Sequence, residues 1–214
     1  MDKQRIIATA DMFELLSLAF SFPSSTLAEG IVSGAYWEDF KACLSELGRS
    51  STVSVPAFEA SPDSMFDDMR KEYSRLFLSP GKLAVIYPYE SAFLFAKTGR
   101  RGLPTLFVNP ITQDVEKQMR EAGALPEDYR KEPVDSVGKE LGFLQILYTL
   151  AAVAEHEHDA EQTAGLIQRA ELFRRDHVDV WMPSFFEMTI KKSRIDAYSM
   201  LAQVALEGLR ATRK

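Results

Sequence analysis

Residues 132–152 read "EPVDSVGKELGFLQILYTLAA", a proline hemmed in by acids and followed by a long amphipathic run. Val137, Leu141, Leu144, Tyr148 and Ala151 recur at three- and four-residue intervals, the spacing of one helix face. Pro133 disfavours helical backbone at Glu132, so the helix starts beyond it, with Asp135 or Ser136 placed to cap its first turn. A second reading gives the same cluster a binding role, in which Glu132 and Asp135, held close by the proline and the helix start, present two carboxylates to a guanidinium. Spacing alone leaves both readings open.

The same period runs outward in both directions. Upstream it marks Ile6, Ala10, Phe13, Leu16 and Phe20, then Trp37, Phe40, Leu44 and Leu47, then Phe66, Met69, Tyr73, Leu76 and Phe77 behind a cap at Asp63 or Ser64. Further stripes are Ile111, Val115, Met119 and Ala122; Ile167, Ala170, Phe173, His177 and Trp181; and Ile195, Tyr198, Ala202, Ala205 and Leu209. Strand candidates are two short runs, "TVSV" at 52–55 and "KLAVIY" at 82–87, too few for a sheet and read as extended loops packed on helices. The expected architecture is an all-α, single-domain helical bundle over residues 1–214. Polar stretches break it at a long loop from Gly48, with scope for motion, and at a Pro-punctuated connection from Gly123. Residues 123–135 are a candidate hinge between two halves, which leaves a monomer or a domain-swapped dimer open.

Composition narrows the function. The chain has 214 residues, 46% hydrophobic and 26% charged, and no apolar run near the roughly 18 residues of a membrane span is apparent. The N-terminal "MDKQRIIATADMFELLSLAFSFP" has a basic start, but Asp11 and Glu14 interrupt any secretory core, so it reads as the first helix of a cytoplasmic protein. Cys43 is the only cysteine, which excludes an internal disulfide and agrees with a reducing compartment. A net charge of −6 argues against nucleic acid as partner and permits a basic one.

Motifs for chemistry are absent or incomplete. "SPGK" at 79–82 lacks the upstream glycine and the following hydroxyl of a phosphate loop, and "GRRG" at 99–102 is no dinucleotide fingerprint, so no cofactor is expected. In "EHEHD", His156 and His158 lie two apart and so point about 200° apart on a helix, which a shared metal forbids. No nucleophile elbow or Ser/His/Asp grouping is visible. Arg100 and Arg101 sit mid-chain and not ahead of an apolar leader, so the chain is not itself cargo of the twin-arginine route. "YPYESAFL" at 87–94 reads as an aromatic loop with a rigid backbone.

Four of these segments, in order, resemble the TorD/DmsD family of redox-enzyme maturation chaperones: "EYSRLFLSPG" at 72–81, "YPYESAFL" at 87–94, "EPVDSVGKELGFL" at 132–144 and "DHVDVWMPSF" at 176–185. The resemblance implies a non-enzymatic, all-helical cytoplasmic protein that binds the twin-arginine signal peptide of a molybdoenzyme, a DMSO or TMAO reductase-like oxidoreductase. It would act during cofactor insertion, with contacts to the enzyme body and the insertion machinery. Carried over, the peptide-binding residues are Leu76, Phe77, Pro133 and Asp135, with Tyr89, Glu132 and Ser136 beside them. The family's histidine after the aspartate is Ser136 here, which removes any role that needs imidazole.

An exposed arginine–carboxylate pair contributes about 0–1 kcal/mol, whereas micromolar binding needs roughly −8 kcal/mol. Each Leu-sized side chain leaving water supplies about 1.5–3 kcal/mol. The expected division of labour is therefore affinity from an apolar groove that includes Leu76 and Phe77, and register from Glu132 and Asp135. The competing expectations are a general helical adaptor without leader specificity, a nucleotide or metal hydrolase and, more remotely, a transcription factor.

Overall fold

Every apolar stripe becomes helix in the computed structural model, which describes residues 2–55, 57–78, 84–99 and 102–213. The helices are α1 (Lys3–Phe20), α2 (Ser25–Ser33), α3 (Ala35–Glu46), α4 (Pro62–Tyr73), α5 (Glu90–Lys97), α6 (Pro110–Glu121), α7 (Val137–His156), α8 (Ala160–Phe173), α9 (Asp179–Lys192) and α10 (Asp196–Ala211). The fold is an all-α bundle with no strand among the described residues. Helices α2 and α5 carry no stripe in the sequence because nine and eight residues hold too few turns to show a period.

Two π-helical turns interrupt the regular period. Ser74–Leu78 extends α4, and Arg174–Val178 joins α8 to α9, so the stripe from Ile167 to Trp181 covers two helices and the wide turn between them. Such turns are rare and recur near functional sites. The α4 cap is Ser61, whose hydroxyl accepts from the Ser64 amide ahead of Pro62, in place of the expected Asp63 or Ser64.

One hydrophobic core runs from Ile6 to Ala211. Helix α7 forms its centre and packs lengthwise on α1 and α8. By length and hydropathy α7 is able to cross a membrane, contrary to the sequence expectation, but more than half of that stretch is buried inside the bundle. Its contact with α1 is close because Gly138 and Gly142, one turn apart, offer no side chain. A Cβ at Gly138 would lie 2.7 Å from Ser21 Oγ and one at Gly142 3.2 Å from Ser17 Oγ, and Ser17 Oγ donates to the Gly138 carbonyl at 2.8 Å. Phe20 meets Phe185 and Phe186, while Trp181 meets Phe93 and Phe185, which ties α1 and α5 to α9.

The described residues of the loop, 49–55 and 57–61, have no secondary structure, as expected, yet they are pinned. Val53, Val55 and Phe58 pack on the core, and the Glu207 carboxylate of α10 accepts from Ser51 Oγ at 2.6 Å and from the Thr52 amide at 2.7 Å. Of the second strand candidate, Ile86 is buried and its amide donates to the Leu76 carbonyl at 2.9 Å. Residues 79–83 and the Arg100–Arg101 pair lie outside the described residues.

Candidate functional site

The opening stretch and the aromatic loop fold onto one another. Tyr89 and Ser136 form an isolated antiparallel bridge, in which the Val137 amide donates to the Pro88 carbonyl at 3.0 Å and the Glu90 amide to the Asp135 carbonyl at 2.8 Å. Ser136 is the N-cap of α7, its hydroxyl accepting from the Lys139 amide. Asp135 caps a different helix. Its Oδ2 accepts from the Ser91 amide at 2.9 Å, in the first turn of α5, whose own N-cap Tyr89 makes no side-chain bond. Asp135 has no exposed surface, so the carboxylate expected to face a guanidinium is spent on helix α5.

Beside this clamp opens a cleft of about 520 Å³. Tyr89, Glu132 and Ser136 line it, together with Phe20, Ser21 and Phe22 from the end of α1, Tyr73 and Leu78 from the end of α4, and Asp128, Gly138 and Lys139. The rim carries two exposed apolar side chains, Phe22 at 53% and Leu78 at 44%. Phe22 lies edge-on to Tyr73 at 5.4 Å. The Tyr89 hydroxyl pKa is pushed up to about 12, first by burial and then by the charges of Glu132 and Asp135, so it remains a neutral hydrogen-bonding group.

The other expected residues stand behind the wall. Leu76 and Phe77 are buried, and Phe77 packs on Tyr73 at 5.0 Å and Phe185 at 5.4 Å, fixing the tyrosine that faces the cleft. Pro133 is buried as well. Leu76 and Phe77 therefore do not line the cleft, whose apolar surface is made by Phe22, Tyr73 and Leu78, and the acid lining it beside Glu132 is Asp128, with Asp135 buried behind.

Near Asp135 lies a network of acids, buried at Glu90 and Glu140 and half-exposed at Asp114. His177 Nδ1 meets Glu90 Oε2 at 2.8 Å and its Nε2 meets Asp114 Oδ2 at 3.1 Å, while Trp181 Nε1 donates to Glu140 Oε2 at 3.0 Å. Burial alone would lower the imidazole pKa, but the two carboxylates outweigh it and raise it above 6.5. Burial, then the Glu90 charge, lifts the Glu140 carboxyl well above the usual carboxylate range. Burial also raises Glu90, against the opposing pull of His177. Glu140 Oε1 and Asp135 Oδ1 are buried without a hydrogen-bond partner.

Sequence reasoning passed over Phe22, Asp128, Lys139, Glu90, Glu140 and His177 as site residues. One signal was present: Glu140 falls on the apolar face of α7 between Val137 and Leu144, where an acid demands a partner. The histidines of "EHEHD" end α7 and form the turn beyond it, and His156 Nδ1 lies 3.1 Å from Lys3 Nζ. Among the described residues no group of three acidic, histidine or cysteine side chains is arranged to hold a metal.

Comparison with curated proteins and with solved structures gives no match. The pattern of the family described as "Nitrate reductase delta subunit" matches residues 35–187, which takes in all four motifs and the cleft's Tyr73, Tyr89 and Glu132. With well over half its length matched and the helical fold that the motifs imply, the chain belongs to the nitrate reductase delta subunit family, the redox-enzyme maturation chaperones that include the TorD/DmsD type.

Proposed function

We propose that this protein is a non-enzymatic, cytoplasmic chaperone whose cleft binds the twin-arginine leader of a molybdoenzyme, a DMSO or TMAO reductase-like oxidoreductase. It holds the leader until the molybdenum cofactor is in place and the enzyme is fit for export. The observation that carries this reading is the union, in one cleft, of an open apolar rim at Phe22 and Leu78 with the carboxylates of Asp128 and Glu132. A leader offers the complementary pair, basic residues next to an apolar segment. Covering two half-exposed side chains with apolar partners of similar size supplies several kcal/mol in total, at about 25 cal/mol per Å². The ionic contacts, at about 0–1 kcal/mol each, choose the register. In this scheme Tyr89, Glu132 and Ser136 touch the peptide, whereas Leu76, Phe77, Pro133 and Asp135 hold the surface that does.

The test is leader binding by variants of the cleft. Phe22→Ala and Leu78→Ala should each weaken it by about tenfold, the effect of roughly 1.4 kcal/mol. Glu132→Gln should cost less and reduce the preference for arginine over alanine in the peptide. Binding untouched by the Phe22→Ala/Leu78→Ala double variant would refute the reading. One observation favours a general adaptor instead: Leu103, Phe107 and Val108, between α5 and α6, are exposed apolar residues close in sequence. Binding of the enzyme that survives deletion of its leader would point there.

A further inference from the structure

The carboxylates at the cleft already hold a cation, and the chain supplies it. Lys139 Nζ lies 2.9 Å from Asp128 Oδ1 and 3.2 Å from Glu132 Oε2, and it donates to the Glu132 carbonyl at 3.2 Å. The lysine side chain is only 15% exposed, while the two carboxylates that embrace it are 48% and 43% exposed. Acids that reach solvent therefore surround an amine that hardly does.

The position of Lys139 runs against helix physics. It is the third residue of α7, beyond the Ser136 cap, where the positive end of the helix dipole favours an acid and where a capping box places Glu or Gln. A local rule broken in the wall of a binding cleft is expected where function outranks local stability. The lysine's flexible stem and compact charge suit a contact that must be given up. An arriving guanidinium suits the vacated pair, because its planar fork bonds two acceptors at once.

We propose that Lys139 is the built-in occupant of the cleft's cation subsite, displaced when an arginine side chain of a bound peptide takes Asp128 and Glu132. The proposal rests on the leader-binding reading of the same cleft. Lys139 thereby acts as a specificity-determining residue: every incoming cation must outcompete it, so weakly held basic segments are rejected and those that also fill the apolar rim are kept. It also keeps the two carboxylates from facing each other unpaired in the empty cleft.

The experiment compares wild-type protein with Lys139→Met, which keeps the apolar stem, and with Lys139→Gln, which keeps a donor for the Glu132 carbonyl. Each is titrated calorimetrically at low salt with a synthetic twin-arginine leader and with the same peptide carrying alanine at both arginines. The expected result is tighter binding of the arginine peptide to both variants, by about fivefold, with the alanine peptide unchanged. Equal or weaker binding of the arginine peptide by a variant with wild-type helix content overturns the proposal and leaves the cleft reading standing, since Lys139 would then be only a brace. Failure of every protein to bind either peptide removes both.

Discussion

Asp135 answers the question raised by the acidic cluster before α7, and the answer depends on a contact 44 residues away. Its carboxylate caps α5, so a local reading could see the acid but not the amide it serves. His177 was legible as an apolar-stripe position and not as an ion, because Glu90 and Asp114 come from other helices. His177, Glu90 and Glu140 all have raised pKa values and so hold more protons folded than unfolded. The stability that His177 contributes is present below about pH 6.5 and is lost as pH rises through the higher folded value; the two glutamates act in the same direction from the ordinary carboxylate range upward. The urea midpoint should therefore fall between pH 6 and 8, and His177→Gln should flatten that slope above pH 6.5. A midpoint that rises across this interval would contradict the raised His177 pKa.

At the scale of elements, the long stripes, the start of α7 and the all-α class were readable because amphipathic periods and caps are local. Besides the short helices α2 and α5 and the Ser61 cap of α4, two features of the cleft were not. The π-helical turn Ser74–Leu78 alters the period where the cleft begins, burying the adjacent Leu76 and Phe77 while exposing Leu78. The close approach of α1 to α7 depends on Gly138, whose missing Cβ makes room for Ser21 at the floor of the cleft. Gly138→Ala would gain about 1 kcal/mol of helix propensity, but the 2.7 Å contact forces Ser21 Oγ to move, at the expense of its hydrogen bond to the Ser17 carbonyl, and the Ser21 amide nitrogen follows at 3.4 Å. We expect a net loss of about 1–2 kcal/mol in a denaturant melt, larger than for Gly142→Ala, with its looser 3.2 Å contact. A stabilised Gly138→Ala protein would show that α1 has room to yield.

Across the whole molecule, one core joins the first helix to the last, and the cleft is assembled from four separate parts of the chain: the end of α1, the end of α4, the 84–89 loop and the start of α7 with the residues before it. The motifs gather around this cleft, and several of the residues they name lie behind its surface. Motif residues such as Leu76, Phe77 and Asp135 fix the walls, whereas Phe22, Asp128 and Lys139 sit outside any apolar stripe and come together only in three dimensions. The net charge of −6 gives a basic partner a favourable approach that salt should weaken. The central claim is that the cleft recognises a leader by its arginines and its apolar segment together. Its most direct test is calorimetric titration of the wild-type protein with a twin-arginine leader peptide and with its double-alanine counterpart. Micromolar binding that weakens several-fold with alanine, and more so at low salt, is the predicted result; equal affinity for both peptides, or none for either, would contradict it.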